Sequence, residues 1–508
     1  MRAMGIDMGT TTISVIMIDG ENGKLLGSRT IDHQAFLKGH AAFNRIQDPN
    51  RLWDLTEQAV CAMIQEYGKP ESIGMTGQMH GMLYVDEKGA AVSPLYTWQD
   101  GSGNELLEAG VTYADYLRRS TGASATGYGL ITHFYLQKND MIPERAAKMC
   151  TISDYIAMKL CGLSEPQIAR DMAASWGCFD IEKGDFYIRE LEELGVNLSF
   201  LPQILPAHEI VGETTGRLPH GIPVAVSLGD NQASVLGSVR DLSDTVLVNI
   251  GTGSQVSFGT KKYFPAKGSI ELRPCTEKIY LMAGSGLCGG RAYAMLEQFY
   301  HEVCGNFWNG NSCSSDLGSG DSNSSDLRSS NSNSSDLSSG NSGSSDSNNG
   351  GLHGSNTCRE NLYDIMERQA REFLRSCGRD AAWKIRTTFS GTRSNPLERG
   401  NIQGIGVENF HPGAMTVGMI TGILEELLEM YRQMCAMTGT AASKLVGSGN
   451  GIRRNPLMRE LAEELFGMPM DIPVCQEEAA YGAALQSLAA AGKVQSFEEM
   501  QQKIRYIP

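Results

Sequence analysis

The run Asp7-Met8-Gly9-Thr10-Thr11-Thr12 has the parts of a phosphate grip. A phosphate chain needs converging backbone N–H groups and a turn free of bulky side chains. Glycine permits the turn, and threonine hydroxyls add donors. A carboxylate two residues before the glycine is placed to hold a hydrated magnesium ion, a cation that keeps several waters. An ordinary Gly-Thr hairpin turn is the bland alternative. A second copy weighs against it. VLVNIGTGSQVSF at 246–258 matches AMGIDMGTTTISVI at 3–16, with Asn249 on Asp7, Gly251 on Gly9, Thr252 on Thr10 and Ser254 on Thr12. Loops built on Thr10, Thr11 and Thr12, and on Gly251, Thr252 and Gly253, could grip one triphosphate from both sides.

Gly229-Asp230-Asn231 follows the apolar string IPVAVSL at 222–228. A carboxylate at a strand end that opens a helix is often just an N-cap. It is also where a base would sit to accept a hydroxyl proton during phosphoryl transfer. Gly77-Gln78-Met79-His80-Gly81, with Trp98-Gln99-Asp100 downstream, supplies donors, acceptors and an aromatic face. Those are the means by which a sugar is held. For His80 the competing reading is a satisfied polar residue in a turn. Gly447-Ser448-Gly449-Asn450-Gly451, then Asn455, is a glycine turn ahead of a helix, with room for an adenine ring or no ligand at all.

Two other patterns lead elsewhere. GSGLCG at 284–289 fits GxGxxG, but about 20 residues on, where a dinucleotide fold wants an acidic ribose ligand, the chain is entering its low-complexity insertion. The P-loop string GxxxxGK[ST] does not occur.

These residues need a frame. Residues 4–18 read as two short strands around a turn, and 52–67 as an amphipathic helix with Leu52, Leu55, Ala59, Ala62 and Met63 on one stripe. A helix is expected from Asn231. Further helices are expected over 414–436, 455–467 and 476–492, the second opened by Pro456 and stopped by Gly467. Small residues in the last would let a backbone or flat ring come close. The repeated strand-turn-strand suggests internal duplication, with a boundary near residue 240. Between 309 and 356 the chain is almost all Ser, Asn, Gly, Asp and Leu, and SSDL recurs at 314, 324 and 334. Such a segment buries too little apolar surface to offset its ordering entropy, so it reads as a disordered insertion. Calcium-binding repeats are the alternative, without a convincing ligand spacing.

The chain has 508 residues, 41% hydrophobic and 20% charged, which suits two globular domains of roughly 200–250 residues each. A net charge of −15 argues against nucleic acid as a partner. Twelve cysteines without a CxxC pair fit reduced thiols in a cytoplasmic protein. The N-terminus shows no signal peptide, and no apolar run approaches the ~20 residues needed to cross a bilayer.

Taken in order, these strings resemble the FGGY carbohydrate kinases. GIDMGTTT looks like the family's first phosphate loop and NIGTGS like its second. GSGNG with Asn455 looks like its adenine loop, and EEAAYGAAL like the small-residue helix beside it. FSGTRSNP at 389–396, followed by Arg399-Gly400, is similar to a second-domain segment. The matches run from residue 4 to about 490, skipping the insertion. The resemblance implies an α/β fold of two ribonuclease-H-like, actin-like domains with a cleft between them. Residues 1–240 would carry the sugar site and first phosphate loop, and 241–508 would bind ATP. It implies ATP and Mg2+ as cofactors and a small sugar as partner, with a homodimer left open. By position, Asp230 falls on the catalytic base, Asn231 on a sugar contact, and Met79 and His80 on the sugar-binding Gln-Met-His-Gly element. Trp98, Gln99 and Asp100 join the sugar site. Asp7 falls to the metal, and Gly449, Asn450 and Asn455 to the nucleotide. GQMHG, WQDG and GDNQAS look most like members that convert sedoheptulose to sedoheptulose 7-phosphate, with D-xylulose the second acceptor. Ser102 departs from the pattern, standing where many relatives carry Arg, so a sugar contact is lost or replaced. An actin- or chaperone-like ATPase switch would share the phosphate loops but needs no sugar pocket. A catalytically dead sugar-binding regulator is disfavoured by the presence of Asp7, Asp230 and both loops.

Overall fold

The computed structural model describes residues 1–507 apart from 123, 266–267, 277, 309–360, 393–394 and 396. The serine-rich insertion at 309–356 lies outside the described residues, as do Arg393, Ser394 and Pro396 of the FSGTRSNP string.

Two sheets of the same design make the frame. In the first, Arg2–Met8 is antiparallel to Thr12–Asp19 and parallel to Ser72–Gly77. Lys24–Asp32 extends one side and Pro223–Ala225 the other. In the second, Thr245–Ile250 takes the central place. It is antiparallel to Ser254–Thr260 and parallel to Lys444–Ser448, with Tyr280–Gly286 and Met470–Asp471 beyond them. Asp7 faces Thr76 across its parallel pair, and Asn249 faces Ser448 across the equivalent one. The duplication read from the strings is therefore a duplication of topology. The hairpins differ by one residue. Met8 faces Ile13 around residues 9–12, whereas Ile250 faces Ser254 around 251–253. Two glycines in three residues allow the tighter turn.

The strands of the first sheet all precede residue 240, and those of the second all follow it. One helix ties them together. Glu478–Ala490 lies on the first sheet so closely that a Cβ on Gly5 would fall 1.8 Å from the Ala480 carbonyl oxygen. It also crosses Asp230–Ser238 where a Cβ on Gly482 would fall 2.0 Å from the Ala233 carbonyl oxygen. Its Ala480, Ala484 and Leu485 share one core with Ala3 and Ile16 of the first sheet and Leu247 and Val446 of the second. The small residues of this helix thus serve backbone approach.

The helix expected over 52–67 runs Pro49–Tyr67, capped by Asp48, whose carboxylate accepts from Asn50 N at 2.9 Å. Its buried stripe is rotated from the expected one. Thr56 and Val60 are inside, while Leu55 and Ala62 are half-buried. Thr56 is tolerated there because its hydroxyl donates to the Leu52 carbonyl at 2.7 Å. The helix expected over 414–436 runs Pro412–Thr438. The last two run Pro456–Phe466 and Glu478–Ala490. Among the described residues, no helix is long and apolar enough to cross a membrane.

Candidate active site

The two glycine loops and the end of strand Leu228–Gly229 open into one crevice between the sheets. The first loop turns at Gly9, where a Cβ would fall 2.9 Å from the Thr12 carbonyl oxygen. Just before it, Asp7 is half-buried, and its Oδ1 is shielded from solvent without a hydrogen-bond partner among the described residues. Lost hydration, then the negative charges of Asp230 and Glu477, push its carboxyl up to about 7. Such an atom wants a cation. No group of three His, Cys, Asp or Glu side chains that could hold a metal exists among the described residues. A single carboxylate with an unmatched oxygen fits a magnesium ion that keeps most of its water.

Asp230 opens the helix Asp230–Ser238 as its first residue, with Gly229 as the cap. The N-cap reading is thus displaced by one position. Asp230 Oδ1 accepts from Asn231 N at 2.7 Å. Desolvation lifts its carboxyl to about 6, against the pull of Asn231 N–H and the Arg273 guanidinium. Two buried carboxyls hold the strand that delivers it. Asp171 Oδ2 accepts from Gly229 N at 2.8 Å. Asp154 accepts from the Ser227 hydroxyl, and from the Thr151 hydroxyl at 2.7 Å. Burial raises Asp171 to about 6 and Asp154 to about 7.

The Gln-Met-His element lines the same place. Met79 is buried against the helix start, with Asn231 Nδ2 at 3.8 Å from its sulfur. His80 takes a left-handed backbone (φ 74°), rare for a residue with a side chain. Its N–H donates to the Ser175 hydroxyl at 3.1 Å, its Nδ1 lies 2.6 Å from the Ser175 carbonyl oxygen, and its ring stacks on Tyr128 at 4.4 Å and 3°. Gln78 Nε2 donates to Gln47 Oε1 at 3.0 Å, and Gln47 Nε2 donates to the Thr10 carbonyl at 2.7 Å. The Gln-Met-His element and the first glycine-threonine loop are thereby one hydrogen-bonded unit.

The WQDG string divides by role. Trp98 is 46% exposed and donates from its indole to Thr10 Oγ1 at 3.0 Å. Gln99 is exposed beside it. Asp100 is buried and already engaged, accepting from Asn44 Nδ2 and Arg45 N at 3.2 Å each and from Ser102 N at 3.0 Å. Its geometry fits a loop anchor, and Ser102 serves that anchor.

From the other sheet, Gly251, Gly253 and Asn249 line a cavity of about 380 Å³ with Trp98 and Asn231. This brings the second loop to the residues that hold the first. Thr11 and Thr252 are exposed at the loop tips. The GSGLCG string lies just behind the second loop. A Cβ on Gly289 would fall 2.4 Å from the Gly253 carbonyl oxygen, and one on Gly290 2.4 Å from that of Gly251. The string needs its glycines to pack against a loop of this chain. Gly449 (φ 82°) lies against the end of the second central strand, where a Cβ would fall 2.5 Å from the Ile250 carbonyl oxygen. Asn450 is exposed next to it. Asn455 is buried and spends its Oδ1 capping Pro456–Phe466, accepting from Met458 N at 2.9 Å.

Sequence reasoning missed Arg273, Asp171, Ser175 and Tyr128. One signal was present. Glu271 and Arg273 alternate with Ile270 and Leu272, which puts two charges on one face of a buried strand.

Comparison with known proteins agrees with this arrangement. Residues 2–237 match the family model described as FGGY family of carbohydrate kinases, N-terminal domain. A mouse sedoheptulokinase is 27% identical over 522 aligned positions, covering 95% of this chain and 96% of the relative. The human sedoheptulokinase is 26% identical with the same coverage. An Escherichia coli xylulose kinase is 25% identical over 52% of this chain and 55% of its own. Among solved structures, a ligand-bound xylulose kinase from Lactobacillus acidophilus superposes with a TM-score of 0.76 at 17% identity, over 100% of this chain and 93% of that one. A Plasmodium falciparum glycerol kinase with ADP gives 0.72 at 16% identity, over 98% and 91%. These likenesses carry the two-domain, actin-like fold across the whole chain. Over residues 2–237 the chain matches the N-terminal domain of the FGGY carbohydrate kinases, and over its whole length it is similar to sugar kinases in sequence and fold.

Proposed function

We propose that the protein transfers the γ-phosphoryl group of ATP to a terminal hydroxyl of a ketose, with sedoheptulose as acceptor and sedoheptulose 7-phosphate as product. One observation carries the choice of sugar. Likeness to sedoheptulokinases extends over 95% of the chain, whereas that to the Escherichia coli xylulose kinase stops at 52%. D-Xylulose is the second acceptor on that ground.

The ketose lies against Met79, His80, Trp98, Gln99 and Asn231, with its hydroxyl at Asp230. As the hydroxyl oxygen bonds to the γ-phosphorus, Asp230 takes its proton. The bond from that phosphorus to the β,γ-bridging oxygen breaks, and ADP leaves. A desolvated carboxyl lifted to about 6 is still mostly ionised at neutral pH and more basic than a free one. The backbone and hydroxyls of Thr10, Thr11 and Thr12, with Gly251, Thr252 and Gly253, hold the phosphates, and Gly449 and Asn450 border the adenine. Asp7 would hold a hydrated Mg2+ accompanying ATP, and that ion would neutralise charge on the phosphates. Asp100 joins the sugar contacts and Asn455 the nucleotide contacts, each from a side chain that also anchors its own loop or helix start. Residues 1–240 and 241–508 form the two jaws, in a cytoplasmic protein.

The test is a panel of sedoheptulose, xylulose, ribulose and glycerol with Mg-ATP, followed by ADP release and sugar phosphate formation. Sedoheptulose should give the highest kcat/KM. Nucleotide hydrolysis indifferent to every sugar would favour the ATPase switch instead.

A further inference from the structure

Arg273 brings a guanidinium from the opposite half of the molecule into the surroundings of Asp230. It sits on the strand Ile270–Pro274 of the second sheet, which packs on the helix Arg170–Ser175. That helix holds Gly229 through Asp171 and His80 through Ser175. Arg273 is only 7% exposed. Its Nε and Nη2 donate to Glu271 Oε2 at 3.2 and 2.6 Å. The other arm differs. Nη1 is shielded from solvent and has no hydrogen-bond partner among the described residues. A guanidinium N–H removed from water and left unmatched is costly, so a buried one points to a missing acceptor. The titratable groups around it are Glu271, Tyr128 and Asp230. Tyr128 is the ring stacked on His80, and Asp230 is the base. Glu271 thus holds one edge of the guanidinium and leaves Nη1 unmatched.

We infer that Arg273 is a substrate-binding residue whose Nη1 donates to a hydroxyl oxygen of the bound ketose, so that the sugar bridges the two halves of the enzyme. This deepens the kinase reading and rests on it. Arginine suits the task because its planar fork can be locked on one edge by Glu271 and still present donors on the other. The other sugar contacts come from residues 79–99 and 230–231. An acceptor sugar is then gripped from both sides only when the halves are together, and Arg273 supplies a guanidinium where Ser102 does not.

The experiment compares wild type, R273K and R273Q with Mg-ATP and sedoheptulose, measuring KM for each substrate separately, with circular dichroism and thermal unfolding as controls of folding. The expected result is a rise of about 10- to 100-fold in ketose KM for R273Q, with nucleotide KM changed less than about twofold. R273K should recover part of the loss, because it restores charge but not the fork. Unchanged ketose KM in either folded variant overturns the proposal, and so does an equal rise in both KM values, which marks a scaffold residue. Should R273Q not fold, R273K alone decides by the same criterion. Failure of wild type to phosphorylate any ketose would instead sink the kinase reading.

Discussion

Trp98 donates its indole N–H to the hydroxyl of Thr10 at 3.0 Å, joining a residue of the sugar site to the first phosphate loop. Gln78 and Gln47 make a second link between the same two regions. The acceptor and phosphate sites are therefore not independent. Trp98→Phe keeps the aromatic face but loses the donor, and Thr10→Val loses the acceptor. Each should lower kcat/KM for both ketose and ATP. The double variant should be less impaired than the product of the singles, with a coupling of about 0.5–1.5 kcal/mol, the scale of one hydrogen bond. Additive effects in that cycle would show that the bond does not matter to turnover.

Asp230→Asn keeps the shape of the helix start and the bond from Asn231 N, while removing the proton acceptor. Turnover should fall by about 10²- to 10⁴-fold, the range of general base catalysis. Nucleotide affinity, read by calorimetry, should hold within about twofold. Retained turnover would remove the base assignment.

Stability and activity should move in opposite directions with pH. Asp7, Asp154, Asp171 and Asp230 all have folded carboxyls lifted to about 6 or 7 from 3.8. Between about pH 4 and 7 the folded chain then holds protons that the unfolded chain has released. Unfolding free energy must fall as pH rises through that window. The ligand-free protein should therefore lose thermal stability from these groups between pH 5 and 7.5. Asp154→Asn, away from the reacting atoms, should flatten that slope. Catalysis needs Asp230 ionised, so kcat/KM for the ketose should drop below about pH 6. A slope unchanged in the Asp154 variant would mean that its carboxyl titrates normally.

The sequence made the frame legible because its signals were local. Gly-Thr turns, Pro456 and Gly467 announce element ends through backbone geometry that any reader of residue types can use. The paired loops were visible because duplication repeats the same local pattern. What stayed hidden depends on contacts across the chain. That Asp100 also accepts from Asn44, Arg45 and Ser102 is not visible in the WQDG string. That Asn455 also caps a helix shows only in the fold. Arg273 and Asp171 are separated by about 100 positions yet are brought near each other by the packing of strand Ile270–Pro274 on helix Arg170–Ser175. The helix Glu478–Ala490 announces close packing by its small residues, but not against which half.

The GSGLCGG run gives the sharpest test of a glycine read from packing. Gly290 opens the helix Gly290–Trp308, and its N–H donates to the Gly251 carbonyl at 2.9 Å. Alanine has the better helix propensity, by about 1 kcal/mol, so Gly290→Ala should not weaken the helix itself. The added Cβ would nonetheless fall 2.4 Å from the Gly251 carbonyl oxygen, a backbone atom that cannot swing aside. The second phosphate loop must shift to make room. Misplacement of a positioning group by an ångström can cost about 10²-fold in rate. Gly290→Ala should therefore raise nucleotide KM about tenfold or more while leaving ketose KM nearly unchanged. Unfolding temperature should stay close to that of wild type. If nucleotide KM holds, the loop either yields freely or does not touch the phosphates, and the grip assigned to Gly251–Gly253 fails with it.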